Sequence, residues 1–506
     1  MPKLRFTGGI ALVAATVAGC GVAIPSPAEE NPLPSEPTMI NYVDPSQVQG
    51  LNVRNMNGGD TGDRRVHVTY PSVDDASRLS EKIRRTVTER LDRFTRDTSM
   101  NTALPYPEFN VDWQLAAASD QVIGVRLRIG ESLGAGWSES RTTVWYDRVD
   151  RRALNSAALL RDDSALAELA RIVRESLNEK GSRVDPRAVR PDAELFDSLG
   201  FNPRGELVVE FDDYQVAGED LGRVAVAVPA AEVTPLLSAT GLRAQQAASG
   251  TAWMSPPMGS DQSIEAANTV KPPARSSMAG SVDCARVKCV ALTYDDGPGP
   301  DTGRLLDTLA RAGARATFFS AGSNAAARPE LLWRMRQEGH LVANHTWSHR
   351  DLTSLSSSRI ADQLDRAQYT ISQAIRQVPT LMRPPYGASS VQVASVARRL
   401  GLSVVRWSVD TEDRLDRDPG AIADRAVSRA RPGAIVLMHD VHGATVDAAP
   451  EIVRRLQEKG YVFVTVPELY GSRGMEPGRT YDSAASGGGS GRSGSATRAL
   501  EKQAMP

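Results

Sequence analysis

Residues 290–298 read Val-Ala-Leu-Thr-Tyr-Asp-Asp-Gly-Pro. An apolar run before two adjacent carboxylates and a Gly-Pro turn predicts a buried strand that ends in a loop, a common position for catalytic side chains on a rigid scaffold. Adjacent residues on a strand point to opposite sides, so Asp295 and Asp296 can take different tasks. One carboxylate can hold a metal ion while its neighbour moves a proton.

The segment 344–349, Asn-His-Thr-Trp-Ser-His, supplies two imidazoles at positions i and i+4. On a helical turn, His345 and His349 would face the same way and could bind one divalent ion. Together with Asp296 they would form a three-ligand set with one open position, which is typical of a catalytic zinc site. Taken alone, the pair is also compatible with surface histidines on a helix.

Around this segment the chain alternates apolar runs with helical patterns, which predicts an α/β fold with parallel strands. Strands are predicted over 287–292, 316–319, 404–407, 435–438 and 461–466. Helices are predicted over 302–312, 329–338, 358–376, 391–400, 421–430 and 449–459. The chemistry-bearing residues fall at the carboxyl ends of strands, where a (β/α) barrel carries its site.

Three further segments complete an ordered set of motifs: 383–387 (Arg-Pro-Pro-Tyr-Gly), 410–413 (Asp-Thr-Glu-Asp) and 435–440 (Ile-Val-Leu-Met-His-Asp). With the two segments above, residues 284–470 resemble the polysaccharide deacetylases, the NodB-homology domain of carbohydrate esterase family 4. The resemblance implies an incomplete, distorted (β/α) barrel and a metal-dependent hydrolase.

The resemblance implies a role in proton transfer or in stabilising the reacting oxygen for five residues. Asp295 matches the general base that activates water, and Arg383 matches the arginine that supports it. His439 matches the general acid that protonates the leaving amine, with Asp413 stabilising its charged form. Tyr386 would offer its backbone N–H to the oxyanion. This assignment agrees with the requirements of amide hydrolysis.

The resemblance also implies that Asp296, His345 and His349 hold the metal and that Leu437 lines a pocket for the acetyl methyl group. A His-His-Asp set suits zinc first, with cobalt or another borderline ion as the alternative. The sequence departs from the family after Asp413, where Arg414 replaces the usual Trp. Trp407 is the nearby candidate to fill that gap, and the change predicts a different substrate groove or weaker catalysis.

The other histidines carry weaker expectations. His340 follows a Glu-Gly pair just past a helix and is predicted to be a cap or surface residue. His442 is predicted at the rim of the site. His67 belongs to a separate domain and is predicted to be uninvolved.

The first twenty residues predict a secretory signal: a basic start, an apolar core too short to span a membrane, and then Val-Ala-Gly-Cys. This ending resembles a bacterial lipobox, which implies lipidation at Cys20. An ordinary signal peptide is the alternative. We therefore expect the protein on the extracellular face of the cytoplasmic membrane, anchored by lipid, with residues 21–43 as a flexible stalk.

The remaining cysteines, Cys284 and Cys289, stand at the entry to the deacetylase-like segment. Outside the cytoplasm a disulfide that closes this small loop is expected. Metal binding is the alternative, but the surrounding sequence supplies no further Cys or His to complete such a site.

Residues 44–243 predict a separate α+β domain. Leu79, Ile83, Val87 and Leu91 recur every four residues, as in an amphipathic helix. Alternating apolar residues predict strands near 109–115 and 123–129, with further strands over 142–146, 206–211 and 223–228 and a helix over 159–177. Segments 196–201, 211–217 and 226–229, with Gly222, resemble the extracytoplasmic domains of lysozyme-sensing anti-sigma factors and of some peptidoglycan deacetylases. That likeness implies a binding module with a lysozyme-like protein as a partner.

Two biased segments complete the organisation. Residues 244–283 are rich in Ala, Ser and Pro and predict a linker. Residues 471–506, with a Ser-Gly-Gly-Gly-Ser-Gly run, predict a disordered tail. The formal net charge of −2 gives no electrostatic case for nucleic-acid binding.

The sequence thus favours an N-deacetylase acting on cell-wall glycan, with peptidoglycan as the expected substrate. N-acetylglucosamine, N-acetylmuramic acid and chitin-type oligomers all stay open as the sugar. Two other hypotheses are a non-catalytic wall-binding or lysozyme-sensing lipoprotein with a degenerate deacetylase domain, and an O-acetyl esterase on the same scaffold.

Overall fold

The architecture is that of a computed structural model, which describes residues 38–56, 64–99, 106–134, 136–178, 184–218, 223–250 and 282–484. The predicted signal sequence, Cys20, and most of the predicted stalk and linker lie outside these residues. Within the described ranges, no helix is both long enough and apolar enough to cross a membrane.

The N-terminal half begins with a six-stranded sheet whose strands are neighbours in chain order. Their bounds are β1 Leu51–Met56, β2 Arg65–Val73, β3 Glu108–Ala118, β4 Val122–Ser132, β5 Ser138–Asp147 and β6 Arg152–Asn155. Helix α1 (Ser77–Asp97) joins β2 to β3, and these two strands run parallel, whereas the other neighbours are antiparallel. The predicted amphipathic helix is confirmed, because the four residues of its apolar repeat are all buried in the core that it shares with this sheet.

A second core follows, built on a small antiparallel sheet. Its elements are α2 Asp163–Asn178, β7 Ser198–Phe201, β8 Leu207–Phe211, β9 Val224–Val228, α3 Ala230–Val233 and α4 Ala239–Gly250. The helix predicted over 159–177 begins later than expected. Residues Ser156–Leu159 form a 3-10 turn, and the Asp162 carboxylate then accepts the Ala165 N–H at 2.8 Å and caps the new helix.

Two predicted boundaries of this domain are wrong. Residues 38–43, assigned to the stalk, pack on the domain: Ile40 is buried and the Asn41 N–H donates to the Phe201 carbonyl at 2.8 Å. The linker predicted from residue 244 overlaps α4, whose Ala244 and Ala248 are buried in the second core. Both segments are held because their apolar side chains are removed from water.

The C-terminal half is a parallel α/β domain with the strand order β15-β16-β10-β11-β12-β13-β14-β18, and β17 pairs with β10. The strands are β10 Lys288–Asp295, β11 Ala316–Ser320, β12 Leu341–Asn344, β13 Leu381–Met382, β14 Ser403–Val405, β15 Val409–Asp410, β16 Ala434–His439, β17 Tyr461–Phe463 and β18 Thr480–Tyr481. The helices are α5 Thr302–Arg311, α6 Gly322–Ala327, α7 Pro329–Gln337, α8 Ser357–Ile375, α9 Val391–Arg399, α10 Pro419–Arg429, α11 Gly443–Glu458 and α12 Val466–Tyr470. The predicted α/β fold with an incomplete barrel is confirmed.

The first part of the predicted disordered tail is ordered. Strand β18 pairs in parallel with β14, and the Ala484 N–H donates to the Gly433 carbonyl at 2.9 Å. Asp482 forms an ion pair with Arg406 at 2.7 Å. The domain therefore extends to at least residue 484, and residues 485–506 lie outside the described part of the chain. At the other end, Cys284 and Cys289 form a disulfide just before and at the start of β10.

Candidate active site

The carboxyl ends of β10, β11 and β16 meet at one edge of the sheet. Asp295 is the last residue of β10 and is in register with Phe319 of β11 and His439 of β16. Asp296 follows with a φ of 71°, a conformation that ends the strand. Because all three strands run parallel, residues distant in sequence come together at this edge.

Arg383 holds the Asp295 carboxylate from inside the domain. The guanidinium is fully buried and donates to Asp295 Oδ1 at 2.7 Å and to the Thr293 hydroxyl at 2.9 Å. It also donates to the carbonyls of Val405 and Arg406. The charge of Arg383 is thereby compensated, and one oxygen of Asp295 is fixed.

The helical turn predicted for His345 and His349 is wrong, because both residues lie in a loop. His345 follows β12 directly, and His349 has a φ of 58°, which an α-helix does not allow. The loop nevertheless brings Nε2 of each ring to 3.4 Å from Asp296 Oδ1. His345 Nε2 is also 3.8 Å from Asp295 Oδ2.

These atoms suit a divalent metal ion. Metal–ligand bonds of zinc size separate the ligand atoms of a tetrahedral site by about 3.3 Å, close to the observed 3.4 Å. Asp296 Oδ1 is buried without a hydrogen-bond partner among the described residues. His345 Nδ1 lies 2.8 Å from the Arg383 carbonyl, which assigns the proton to Nδ1 and leaves Nε2 free to bind a metal. Burial lowers the pKa of His349 well below its ordinary value, so its imidazole is neutral, as ligation requires.

His67 also reaches this site, contrary to the prediction that it is uninvolved. Its ring stacks on that of His349 with centroids 4.2 Å apart. Ligand atoms of His67, Asp296 and His349 all lie within 4.8 Å of one another. This group omits His345, but we keep His345 as a candidate ligand because its hydrogen bond sets the required tautomer and its Nε2 lies 3.4 Å from Asp296 Oδ1.

The predicted acid, His439, is paired with Asp413. Nδ1 of His439 lies 2.8 Å from Asp413 Oδ1, and Oδ2 of the same carboxylate accepts the His439 N–H and the Thr445 hydroxyl. Burial alone would lower the pKa of His439, but the Asp413 carboxylate outweighs burial and raises it to about 10. Burial likewise opposes the charged form of Asp413, yet His439 holds the pKa of that carboxyl at about 2. The imidazole is therefore protonated near neutral pH.

The residues predicted to shape the pocket are placed as follows. Tyr386 has a φ of 58°, and its ring meets that of His349 edge to face at 4.8 Å. Leu437 is buried on β16. Trp407 is half-buried and lies 5.7 Å from the Arg383 guanidinium. Arg414 is half-buried in the turn after Asp413, and its effect on catalysis stays a prediction.

His340 and His442 are both buried, so His340 is not a surface residue. The cap predicted for His340 is confirmed, because its N–H donates to the Met335 carbonyl at 2.9 Å at the end of α7. The His340 side chain holds the first residue of β11, because its Nδ1 accepts the Ala316 N–H at 3.1 Å. His442 lies inside the site and not at its rim, with its ring 5.5 Å from that of His439. Burial lowers the pKa of His442 to about 4, so it is the neutral neighbour of a charged imidazole.

Asp440 is a buried carboxylate that sequence reasoning left without a role. A Cβ on Gly297 would lie 2.1 Å from its Oδ2, so only glycine allows the Asp-Asp-Gly turn to approach it. The Thr302 hydroxyl donates to the same oxygen. Burial raises the pKa of Asp440 to about 7. The sequence does hold a signal for Asp440: it directly follows His439, the residue in register with Asp295.

Comparison with known proteins agrees with this geometry. The family model described as polysaccharide deacetylase matches residues 283–405. The peptidoglycan-N-acetylmuramic acid deacetylase PdaC of Bacillus subtilis is 30% identical over 383 residues, which cover 74% of this chain and 78% of that protein. The chain belongs to the polysaccharide deacetylase family.

Other relatives match the C-terminal half. The peptidoglycan-N-acetylglucosamine deacetylase PgdA of Listeria monocytogenes is 42% identical over 195 residues, which are 38% of this chain but only 41% of that protein. The chitooligosaccharide deacetylase of a Bradyrhizobium species is 36% identical over 204 residues, 37% of this chain and 93% of that protein. The match to PgdA therefore spans about two fifths of that relative's length.

Proposed function

We propose that this protein removes N-acetyl groups from peptidoglycan by metal-dependent hydrolysis. The observation that carries the proposal is the convergence, at one edge of the sheet, of an arginine-held carboxylate, a His-His-Asp cluster and a histidine charged by its carboxylate partner. The match to PdaC along 74% of the chain supports peptidoglycan as the substrate.

The chain's own groups divide the reaction between them. Asp295, held by Arg383, takes the proton of the attacking water as oxygen adds to the acetamide carbonyl carbon. The backbone N–H of Tyr386 stabilises the negative charge that develops on the carbonyl oxygen. His439 then gives its proton to the sugar nitrogen as the C–N bond breaks, leaving acetate and a free amine. Leu437 lines the space for the acetyl methyl group.

Asp296, His345 and His349 would hold the metal. A divalent ion bound there would lower the pKa of water and polarise the amide carbonyl. Zinc is our proposed ion because two imidazoles and a carboxylate suit it, and cobalt is the alternative that the same donor set accepts.

We further propose that the protein acts outside the cytoplasmic membrane, anchored through a lipid on Cys20. The support is the basic start, the short apolar core and the Val-Ala-Gly-Cys ending. The disulfide between Cys284 and Cys289 agrees with an oxidising compartment. Labelling with a lipid analogue that is lost in Cys20→Ala, while a Cys284→Ser/Cys289→Ser double variant keeps it, would support the anchor.

The N-terminal half is proposed as a binding module for the wall or for a lysozyme-like protein. Its support is the motif likeness in segments 196–201 and 211–217. Surface plasmon resonance with the full chain and lysozyme tests directly whether the N-terminal half binds a lysozyme-like protein.

The enzymatic proposal is tested with the full chain and purified peptidoglycan. Acetate release should disappear with a chelator and return with added zinc. Asp295→Asn should lower it by about 100- to 10,000-fold, the usual worth of a general base. Asp307→Asn is the matched control, because Asp307 pairs with Arg334 on the surface and its side chain is 52% exposed. Equal rates for the two variants would refute the role of Asp295.

Mass spectrometry of the digested product assigns the sugar, since each deacetylated muropeptide reports which residue lost its acetyl group. Chitin-type oligomers and acetylated xylan serve as comparison substrates. Faster release from acetylated xylan would favour the O-acetyl esterase hypothesis. No release from any substrate by a folded, zinc-loaded protein would favour the degenerate wall-binding lipoprotein.

A further inference from the structure

The metal-binding loop lies in the interface between the two halves of the chain. The Asn110 side chain on β3 donates to the Ser348 carbonyl at 2.8 Å. The Glu108 carboxylate accepts the Asp351 N–H at 3.1 Å. Arg65 on β2 forms an ion pair with Asp351. Residues 345–351 are thus held by the N-terminal sheet as well as by the catalytic domain.

Further contacts surround this loop. The Arg350 guanidinium lies 3.4 Å from the centre of the Trp137 ring and 3.1 Å from the Glu139 carboxylate. Arg328, just after α6, donates to the Asn52 side chain at 2.6 Å. Most of these interactions are charged or polar, which is typical of interfaces that open and close and not of a permanent apolar core.

His67 is the residue that this interface brings to the metal site. It lies on β2 in register with Asn110 of β3, is buried, and stacks on His349. One of its ring nitrogens lies within 4.8 Å of ligand atoms of both Asp296 and His349. If His67 served only to stack on His349, its ring would lie over that imidazole. Stacking alone would not require a ring nitrogen of His67 to lie within 4.8 Å of the Asp296 carboxylate as well.

We propose that His67 is a fourth protein ligand of the metal, supplied by the N-terminal domain, so that the docked chain is a closed form of the enzyme. The proposal rests on the function proposed above. Three protein ligands with an open position are typical of catalytic zinc, and four protein ligands are typical of closed structural zinc. Docking would therefore strengthen metal binding and fill the position that water and substrate need.

Burial of the site agrees with a closed form. Asp295, Asp296, His345, His349 and His439 are each at most 9% exposed in the docked chain. A glycan must bring its acetamide to these side chains, so turnover requires the N-terminal sheet to move away from the loop.

The test measures metal affinity and coordination in the full chain. Zinc affinity is obtained by competition with a chromophoric chelator, and the visible absorption of the cobalt-loaded protein reports the ligand set. His67→Ala should weaken zinc binding at least tenfold and change the cobalt spectrum. His67→Gln, which keeps a polar side chain of similar reach, should do the same, and circular dichroism shows whether each variant is folded.

Asn52→Ala is the matched control. It removes the interdomain hydrogen bond from Arg328 but removes no imidazole and no hydrogen bond to the metal-binding loop. It should leave the cobalt spectrum unchanged and shift zinc affinity by less than threefold. Equal effects of His67→Ala and Asn52→Ala, or no effect of His67→Ala on affinity and spectrum, would overturn the proposal and leave His67 as a docking or stacking residue.

Acetate release gives a separate readout. His67→Ala should release acetate faster than the unmodified chain at saturating zinc, because one coordination position opens. Slower release with intact metal binding would contradict the closed form. Absence of release from every variant would count against the proposed deacetylation, while the affinity and spectrum would still decide whether His67 is a ligand.

Discussion

The pairing of His439 with Asp413 leads to a quantitative prediction. In the folded protein Asp413 outweighs burial and raises the pKa of His439 to about 10. In Asp413→Asn the largest charge that raises the pKa is lost, while burial and the smaller effects of Asp296 and Asp295 remain, so the pKa of His439 should fall toward its ordinary value of about 6.5. The general acid would then lose its proton in the neutral range.

The size of the effect follows from the two pKa values. At pH 8 a group with a pKa of about 10 is about 99% protonated, whereas one with a pKa of about 6.5 is about 3% protonated. Between pH 6, where a group with a pKa of about 6.5 is about 76% protonated, and pH 8, Asp413→Asn should therefore lose about 25-fold in kcat/KM. The unmodified protein keeps His439 charged over the same range.

The assay is the pH profile of acetate release by zinc-loaded full chain from pH 5 to pH 10. Thr445→Val is the matched control, since it removes one donor to Asp413 Oδ2 but keeps the carboxylate charge. The alkaline limb of the pH profile of Thr445→Val should stay near that of the unmodified protein. An alkaline limb that does not move in Asp413→Asn would refute the argument that Asp413 sets the charge of His439.

Three further predictions concern the support of the site and the limits of the domains. Arg383→Lys should reduce kcat at least tenfold with little change in zinc affinity, because a lysine cannot donate to Asp295 and to the surrounding carbonyls at once; unchanged kcat would contradict this. A chain ended at residue 470 should unfold more easily by about 4 kcal/mol than one ended at residue 484, since it loses the four backbone hydrogen bonds that join residues 478–484 to residues 402–433 and an ion pair; equal urea midpoints would show that β18 contributes nothing. Burial, together with a neighbouring carboxylate, raises the pKa of Asp197 to about 8, so this group stabilises the fold at low pH and that contribution is lost as pH rises through about 8. Asp197→Asn should flatten the decline in thermal midpoint between pH 5 and pH 8, and an identical decline in both proteins would disprove it.

Much of the catalytic domain could be predicted from local pattern. The strands that form the centre of the sheet are continuous apolar runs, as strands buried on both faces must be. The helices between them have an apolar side that repeats every three or four residues. These two periodicities determine the α/β class, and the residues that follow each apolar run are then placed at the carboxyl edge. This pattern predicts the positions of Asp295 and Asp296, whereas the role predicted for His439 depends on the resemblance to the deacetylases.

Local pattern was less reliable where elements are short. β13, β15 and β18 are each two residues long, which is too short for any period to appear. The glycine- and serine-rich sequence after β18 predicts a disordered tail that includes β18 itself. What orders it is pairing with β14, a contact that no local property of residues 480–481 reveals.

The sequence by itself determined the class of fold, the order of the motifs and the types of side chain at the site, because these depend on near neighbours along the chain. Only the tertiary structure decided that His345 and His349 lie on a loop around Asp296. It alone brought His67 from a different domain onto the candidate metal site. Such contacts depend on how whole sheets dock, and docking is set by the shape and charge of surfaces far apart in the chain.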